Sequence, residues 1–226
     1  MKLLALDTST EFLSVAVWHD GIVTSHDCRV GQKHSELTLP MVRDVLDESG
    51  LTLAALDGLA FGNGPGSFTG LRIGCGLIQG LAFAHQLPVV GINSLLALAQ
   101  HTGHDHVISS IDARMNQMYF AAYERHEGGW QTVIAPGLYD PGTTPALPDA
   151  RWHGVGSGFQ AFADSLHATY GTQLDSVDDN RFPHASAIAE LAAIELTAGR
   201  GVPAHEATLL YLRDKVALTI HEQPRK

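Results

Sequence analysis

The chain has 226 residues, of which 45% are hydrophobic and 17% are charged. This composition is typical of a globular protein and excludes an intrinsically disordered one. The net charge of −10 disfavours a chain that binds nucleic acid by itself, because an acidic surface repels phosphate. Two cysteines are too few for a disulfide framework, and no apolar stretch is long enough to cross a bilayer, so we expect a cytoplasmic protein that does not enter a membrane.

The first half of the sequence alternates short apolar runs with segments of helical periodicity. Leu37, Met41 and Val45 share one stripe of the first predicted helix, and Pro40 marks either the start of that helix or a kink. Ser94 is placed to cap the third helix. The predicted elements are strands at 3–6, 13–18 and 22–25, a helix at 33–49, a strand at 59–61, a helix at 67–85, a strand at 87–92 and a helix at 95–101.

The second half opens as the first does. Asp7 ends an apolar run and precedes a second run by six positions, and Asp112 does the same. The repeat predicts a duplicated α/β unit, divided into residues 1–102 and 103–226. The remaining predictions are strands at 107–111, 118–123 and 152–156, an irregular stretch at 136–148, helices at 159–170 and 184–198, and a frayed end from 221, where a tail helix could pack back on the first half.

Residues 62–74, with the sequence GNGPGSFTGLRIG, form the most distinctive segment. A glycine-rich loop that leads into a helix can bind an anion, because the first N–H groups of the helix are free. However, no Gly-Lys-Ser/Thr follows, and Thr69 stands where the dinucleotide fingerprint has its third glycine. Two interpretations stay open. One is a tight strand-to-helix connection, and the other is a nucleotide or anion contact through Gly64, Gly66, Ser67 and Arg72.

The helix that follows carries four interior glycines, namely Gly70, Gly74, Gly76 and Gly80. Each costs about 1 kcal/mol relative to alanine, so some packing must offset them. Their spacing lets another backbone approach closely. Apolar residues surround nearly the whole helix: Leu71, Ile73, Leu77, Ile78 and Leu81. The helix is therefore either packed closely within one domain or packed on the core along one face and on a partner along another.

Residues 63–72, NGPGSFTGLR, closely resemble the G-P-G-S-F-T-G-L/V-R signature of the TsaB (YeaZ) family. Four other segments agree with that family in order and spacing: ALDTST at 5–10, HSE at 34–36, IDAR at 111–114 and YLR at 211–213. The resemblance covers nearly the whole chain. It implies the actin-like ATPase (ribonuclease H-like) α/β fold, with two related halves that each contain a mixed sheet and flanking helices.

The resemblance also implies a scaffold role. Members of the family pair with TsaD, the catalytic subunit that transfers a threonylcarbamoyl group to adenosine in tRNA, and the ATPase TsaE joins them. The interface would lie on the two helices at 33–49 and 67–85, through Leu37, Met41, Val45, Gly70, Gly74, Leu77, Ile78 and Leu81. Without its partner the apolar stripe is expected to drive a homodimer, and tRNA would be reached only through the complex.

The residues needed for chemistry are missing from the matching positions. TsaD-like relatives bind a metal through a His-x-x-x-His pair, and the corresponding residues here are Ser94 and Leu98, of which Leu98 cannot ligate. The loops after Asp7 and Asp112 lack the glycine of actin-like ATPases. The two aspartates are either relics of Mg²⁺–phosphate chemistry or turn caps, and of these we expect turn caps. We therefore expect no catalytic residue, metal or cofactor. The alternative is a stand-alone metallopeptidase-like or kinase/ATPase enzyme of the same superfamily.

Overall fold

The structure, a computed structural model, describes residues 1–213. The predictions for the frayed end and a tail helix concern residues outside this range. The strands are β1 (Lys2–Asp7), β2 (Phe12–His19), β3 (Ile22–Arg29), β4 (Gly58–Gly64), β5 (Val89–Asn93), β6 (His106–Asp112), β7 (Met118–His126), β8 (Gly129–Tyr139), β9 (Trp152–Val155) and β10 (Leu174–Asp178). The helices are α1 (His34–Glu48), α2 (Phe68–His85), α3 (Ser94–Gln100), α4 (Ser157–Ala161), α5 (Ala163–Tyr170) and α6 (Ala185–Thr197).

The strands form two five-stranded mixed sheets with the same topology. The first sheet has the order β3-β2-β1-β4-β5, and the second has the order β8-β7-β6-β9-β10. In each sheet the first three strands are antiparallel and the last three are parallel. Asp7 ends β1 and Asp112 ends β6, the equivalent central strands. The duplicated α/β unit predicted from the sequence is therefore confirmed.

Helices cover both faces of each sheet, which explains why the central strands are apolar on both sides. Leu4 and Leu6 of β1 face a core shared with α1 and α2, whereas Leu3 and Ala5 face α6. In the second sheet α3 packs on one face, and α4 with α5 packs on the other. Although α6 follows the second sheet in sequence, it packs on the first. A division at residue 102 thus separates the strands of the two sheets, but it does not separate the helices, because α6 packs on the first sheet.

Several local predictions were wrong. Asn93, not Ser94, caps α3, because its side-chain oxygen accepts hydrogen bonds from Leu95 N at 2.9 Å and Leu96 N at 3.3 Å. Pro40 lies inside α1, which begins at His34, so it does not mark the start of the helix. The helix predicted over 159–170 is two helices that meet at Phe162, whose φ is −130°. Strand β8 runs into the stretch predicted to be irregular, and β10 had no predicted counterpart.

Candidate functional site

The inner face of α2 rests directly on the loop between β1 and β2. Thr8 in this loop donates a hydrogen bond from Oγ1 to the carbonyl oxygen of Gly70 at 2.7 Å. A Cβ added at Gly70 would collide with the carbonyl oxygen of Thr8, and one at Gly74 would press against the Thr8 hydroxyl and Leu6. Gly70 and Gly74 were predicted at a partner interface. The structure buries both inside the chain, where they let the helix and the loop approach each other.

The glycine-rich loop is engaged by the chain itself. Ser67 N donates to the carbonyl oxygen of Ser9 at 2.7 Å, and a Cβ added at Gly66 would collide with the same oxygen. A Cβ added at Gly64 would lie 2.8 Å from the carbonyl oxygen of Leu210. The Ser67 side chain is also committed, because its Oγ accepts the Gly70 N–H and so caps α2. These contacts favour a tight strand-to-helix connection over a phosphate cradle at Gly64, Gly66 and Ser67.

The outer face of α2 is open. Gly76 and Gly80 are exposed, and a Cβ added at either would have no atom of the described chain within 4 Å. Thr69, Arg72 and Phe83 continue the same line at helical spacing, and Phe83 is 82% exposed. We call these five residues the outer stripe of α2. The glycine spacing was evident in the sequence, but Phe83, to which the same spacing extends, was not predicted as part of this face.

The other residues predicted for the interface divide between the core and the surface. Val45 and Ile78 are fully buried in the core between α1, α2 and the first sheet, so neither is presented to a partner. Met41, Leu77 and Leu81 are half-buried at the edge of that core. Leu37 is 37% exposed, and Leu39, which was not predicted, is 53% exposed. The interface prediction therefore remains only for the four residues that reach the surface: Leu37, Met41, Leu77 and Leu81.

A segment after α6, residues 207–213, joins α2 to the second half; we call it the strap. The carbonyl oxygen of Ala207 accepts a hydrogen bond from Gln79 of α2 at 3.1 Å. At the other end, Arg213 donates to Gln117 Oε1 at 2.8 Å and to the carbonyl oxygen of Arg114 at 3.2 Å, both in the β6–β7 loop. The strap therefore spans the boundary between the halves next to the glycine-rich loop.

A cleft of about 880 Å³ separates the two halves, and the strap lines one of its walls. Asp7 and Asp112 lie at equivalent places near it and close equivalent turns. Asp7 Oδ1 accepts from Ser9 N at 2.9 Å, and Asp112 Oδ1 accepts from Arg114 N at 2.8 Å. This geometry confirms the turn-capping role predicted for both residues.

The carboxyl group of Asp7 is buried, and its pKa differs from the ordinary value. Its Oδ1 also accepts from the Ser9 hydroxyl at 2.7 Å, but its buried Oδ2 has no hydrogen-bond partner in the described chain. Burial raises the pKa of Asp7 from its ordinary value of 3.8 to about 6, and the Ser9 hydrogen bonds oppose that rise. A Cβ added at Gly62 would strike Oδ2, so the carboxyl group fits against bare backbone.

Neither position that matches the metal ligands of TsaD-like relatives gathers donors. Ser94 and Leu98 are buried in the core around α3. Among residues 1–213, no three His, Cys, Asp or Glu side chains are grouped so that they could hold a metal ion. Likewise, none of the helices within this range is both long and apolar enough to cross a membrane.

Comparisons with known proteins agree with this architecture. A family model described as TsaD, tRNA N6-adenosine threonylcarbamoyltransferase, matches residues 28–150. A solved structure described as YeaZ from Pseudomonas aeruginosa is 39% identical, with a TM-score of 0.84, and covers 93% of this chain and 99% of its own. A second structure from that organism, described as similar to peptidase YeaZ, has the same identity and TM-score and covers 94% of this chain and 99% of its own. The predicted actin-like ATPase, ribonuclease H-like fold is confirmed.

Two curated relatives are similar along nearly their full length. Both are named tRNA threonylcarbamoyladenosine biosynthesis protein TsaB. The Escherichia coli protein is 38% identical over 96% of this chain and 96% of its own, and the Haemophilus influenzae protein is 36% identical over 96% and 95%. With the topology and the strap-lined cleft described above, these similarities show that the chain belongs to the TsaB family of tRNA threonylcarbamoyladenosine biosynthesis proteins.

Proposed function

We propose that the protein is a non-catalytic scaffold subunit, which binds the catalytic subunit TsaD, together with TsaE, for the threonylcarbamoylation of adenosine in tRNA. The observation that carries the proposal is the outer stripe of α2. Its C-terminal part combines an 82% exposed phenylalanine with two exposed glycines, so an apolar side chain adjoins bare helix backbone on the surface. The two exposed glycines next to Phe83 would let a partner helix approach the α2 backbone closely.

The cost of these glycines supports the same conclusion. Gly76 and Gly80 each destabilise the helix by about 1 kcal/mol relative to alanine, and no contact within the described chain requires a glycine at either position. A requirement from a partner, outside residues 1–213, would explain their presence. Leu37, Leu39 and Leu77 would extend the contact beyond the stripe, toward the roughly 1,200–2,000 Å² that a stable protein interface buries.

The enzyme alternative has less support. The residue at the second metal-ligand position is Leu98, which has no donor atom. Asp7, the residue best placed to resemble a phosphate-handling aspartate, uses one carboxyl oxygen to close a turn and packs the other against Gly62. The description of one structural neighbour mentions a peptidase, but residues 1–213 contain no group of His, Cys, Asp or Glu side chains that could hold the metal of a metallopeptidase.

The test is tRNA modification in a reconstituted mixture of TsaC, TsaD and TsaE with ATP, threonine, bicarbonate and tRNA. We expect threonylcarbamoyladenosine to form only when TsaD and this protein are both present, with none from this protein alone. Phe83→Asp should abolish most of the product, because it places a charge in the proposed interface. Ile22→Asp is the matched control, since Ile22 is 73% exposed at the start of β3, an edge strand of the first sheet.

Two results would contradict the scaffold role. One is turnover by the protein without TsaD, and the other is product formation that does not depend on the protein. In isolation the same open stripe is expected to bury itself in a symmetric homodimer. Sedimentation of wild type and Phe83→Asp at high micromolar concentration checks this, with the variant expected to be monomeric.

A further inference from the structure

Arg72 lies at the N-terminal end of the outer stripe, and neighbouring aromatic residues hold its guanidinium in place. The Cζ atom lies 3.8 Å from the centroid of the Phe68 ring, as expected for a cation–π contact. Nε donates a hydrogen bond to the Tyr211 hydroxyl at 3.0 Å, and the Tyr211 ring centroid lies 5.8 Å from Cζ. Residues from α2 and from the strap thus combine to fix the direction of one cation.

The fixed guanidinium has unused hydrogen-bond donors. Its hydrogen bond within residues 1–213 uses Nε, which leaves both Nη groups free, and no carboxylate of that range lies within 4.0 Å. This is notable in a chain with 24 acidic residues. Several other arginines of the described chain do pair with a carboxylate: Arg29, Arg114, Arg151, Arg181 and Arg200.

From this geometry we infer that the cluster of Phe68, Arg72 and Tyr211 is a receptor for a carboxylate side chain of the protein that docks on the outer stripe. The inference rests on the proposed function. A guanidinium presents a planar fork that matches both oxygens of a carboxylate. Because Phe68 and Tyr211 already restrict the side chain, little further conformational entropy is lost on binding. Exposed arginine and tyrosine side chains are also the residue types that contribute most to protein interfaces.

The surroundings of Arg72 favour a protein carboxylate over a phosphate of nucleic acid. Arg72 is continuous with Gly76, Gly80 and Phe83, an apolar surface suited to a helix and unsuited to a sugar–phosphate backbone. The nearby loop donor Ser67 N is already bonded within the chain, so it cannot join Arg72 in holding a phosphate. The net charge of −10 also opposes the binding of tRNA to the protein as a whole.

The test is the affinity of the full-length protein for the TsaD protein of the same organism, measured by isothermal titration calorimetry at 50 and 300 mM salt. Arg72→Gln removes the charge and the fork, and we expect it to weaken binding about 10–100-fold at low salt. Arg72→Lys keeps the charge without the fork and should restore only part of the affinity. Arg151→Gln is the matched control, because Arg151 is an exposed arginine on the second half. This variant should bind TsaD with the same affinity as wild type.

The outcomes separate this inference from the proposed function. If the wild-type protein binds TsaD and Arg72→Gln binds equally well with an unchanged salt dependence, the carboxylate receptor is wrong while the scaffold role stands. If the wild-type protein does not bind TsaD, both are wrong. If Arg72→Gln binds TsaD normally but the assembled complex loses affinity for tRNA in a gel-shift assay, Arg72 contacts a phosphate and the inference is overturned.

Circular dichroism of each variant verifies folding. Tyr211→Phe keeps the aromatic ring but removes the hydroxyl that accepts from Arg72, so it should weaken binding to TsaD several-fold.

Discussion

Gly70 and Gly74 lie on the face of α2 that touches the β1–β2 loop, whereas Gly76 and Gly80 lie on a face that touches nothing in the described chain. Both pairs have the same spacing of four residues. In the first pair the missing side chain makes room for Thr8, and the hydrogen bond from Thr8 to Gly70 anchors the helix. In the second pair the missing side chain makes room for no other residue among 1–213.

The comparison teaches that glycine spacing alone does not identify a partner interface. The inner pair is explained completely by the fold, so its cost in helix propensity is offset by close packing on the loop. The outer pair has no such compensation inside residues 1–213. Only the outer pair is therefore evidence for a partner, and the prediction that placed Gly70 and Gly74 at the interface assigned the role to the wrong face.

The largest effect is expected when the inner face of α2 is filled. Gly70→Val would drive a branched side chain into the carbonyl of Thr8 and should reduce the free energy of unfolding by about 3 kcal/mol or more. Urea denaturation followed by circular dichroism measures the loss. A variant as stable as wild type would mean that α2 can move off the loop without cost. Gly76→Val, with the same change on the outer face, is the control and should change the free energy of unfolding little.

The contact between α2 and the β1–β2 loop can also be tested through pH, because Asp7 closes the turn of that loop. The folded pKa of about 6 lies above the ordinary value of 3.8, so the contribution of Asp7 to stability is present below pH 3.8 and is lost as the pH rises through 6. Between pH 5 and pH 8 this group should remove about 1 kcal/mol from the free energy of unfolding.

Asp7→Asn keeps the oxygen that accepts from Ser9 but cannot titrate, so the variant should lack that part of the pH dependence. Urea denaturation of wild type and variant at pH 5 and pH 8 gives the change in the free energy of unfolding with pH for each protein. The difference between these two changes isolates Asp7, because all other titrating groups contribute equally to both. Parallel profiles for the two proteins would show that Asp7 is ionised alike in the folded and unfolded states.

The smallest expected effect concerns the outer face. Gly80→Ala adds a methyl group where nothing lies within 4 Å, so it should stabilise the isolated protein by about 0.5–1 kcal/mol through helix propensity alone. Thermal denaturation detects this gain. The same variant should bind TsaD more weakly, because the methyl group separates the two helices. A variant that is more stable and binds equally well would leave the glycine unexplained.

The sequence predicted the parts of the fold that carry strong local patterns. The repeat around Asp7 and Asp112 indicated two related halves, and the amphipathic stripe of α1 and the apolar run of α2 indicated helices whose bounds the structure reproduces within one residue. Strand β10 was missed because its five residues, LDSVD, show no buried alternation at the edge of the second sheet. Strand β8 was missed because Pro136 and Gly137 resemble a loop, although both lie within an edge strand.

Some features of the candidate site also follow from local sequence patterns, and others depend on the tertiary structure. The glycine-rich segment, the family resemblance and the missing metal ligand at Leu98 follow from the residues alone. The sequence also fixes the angle between the two glycine pairs of α2, since six residues along an α-helix correspond to a rotation of about 240°. It could not say which pair faces inward, that α6 returns to the first sheet, or that Tyr211 of the strap meets Arg72 of α2. Those facts depend on contacts between residues far apart in the chain, and a local pattern sets the relative directions of side chains without saying what they will meet.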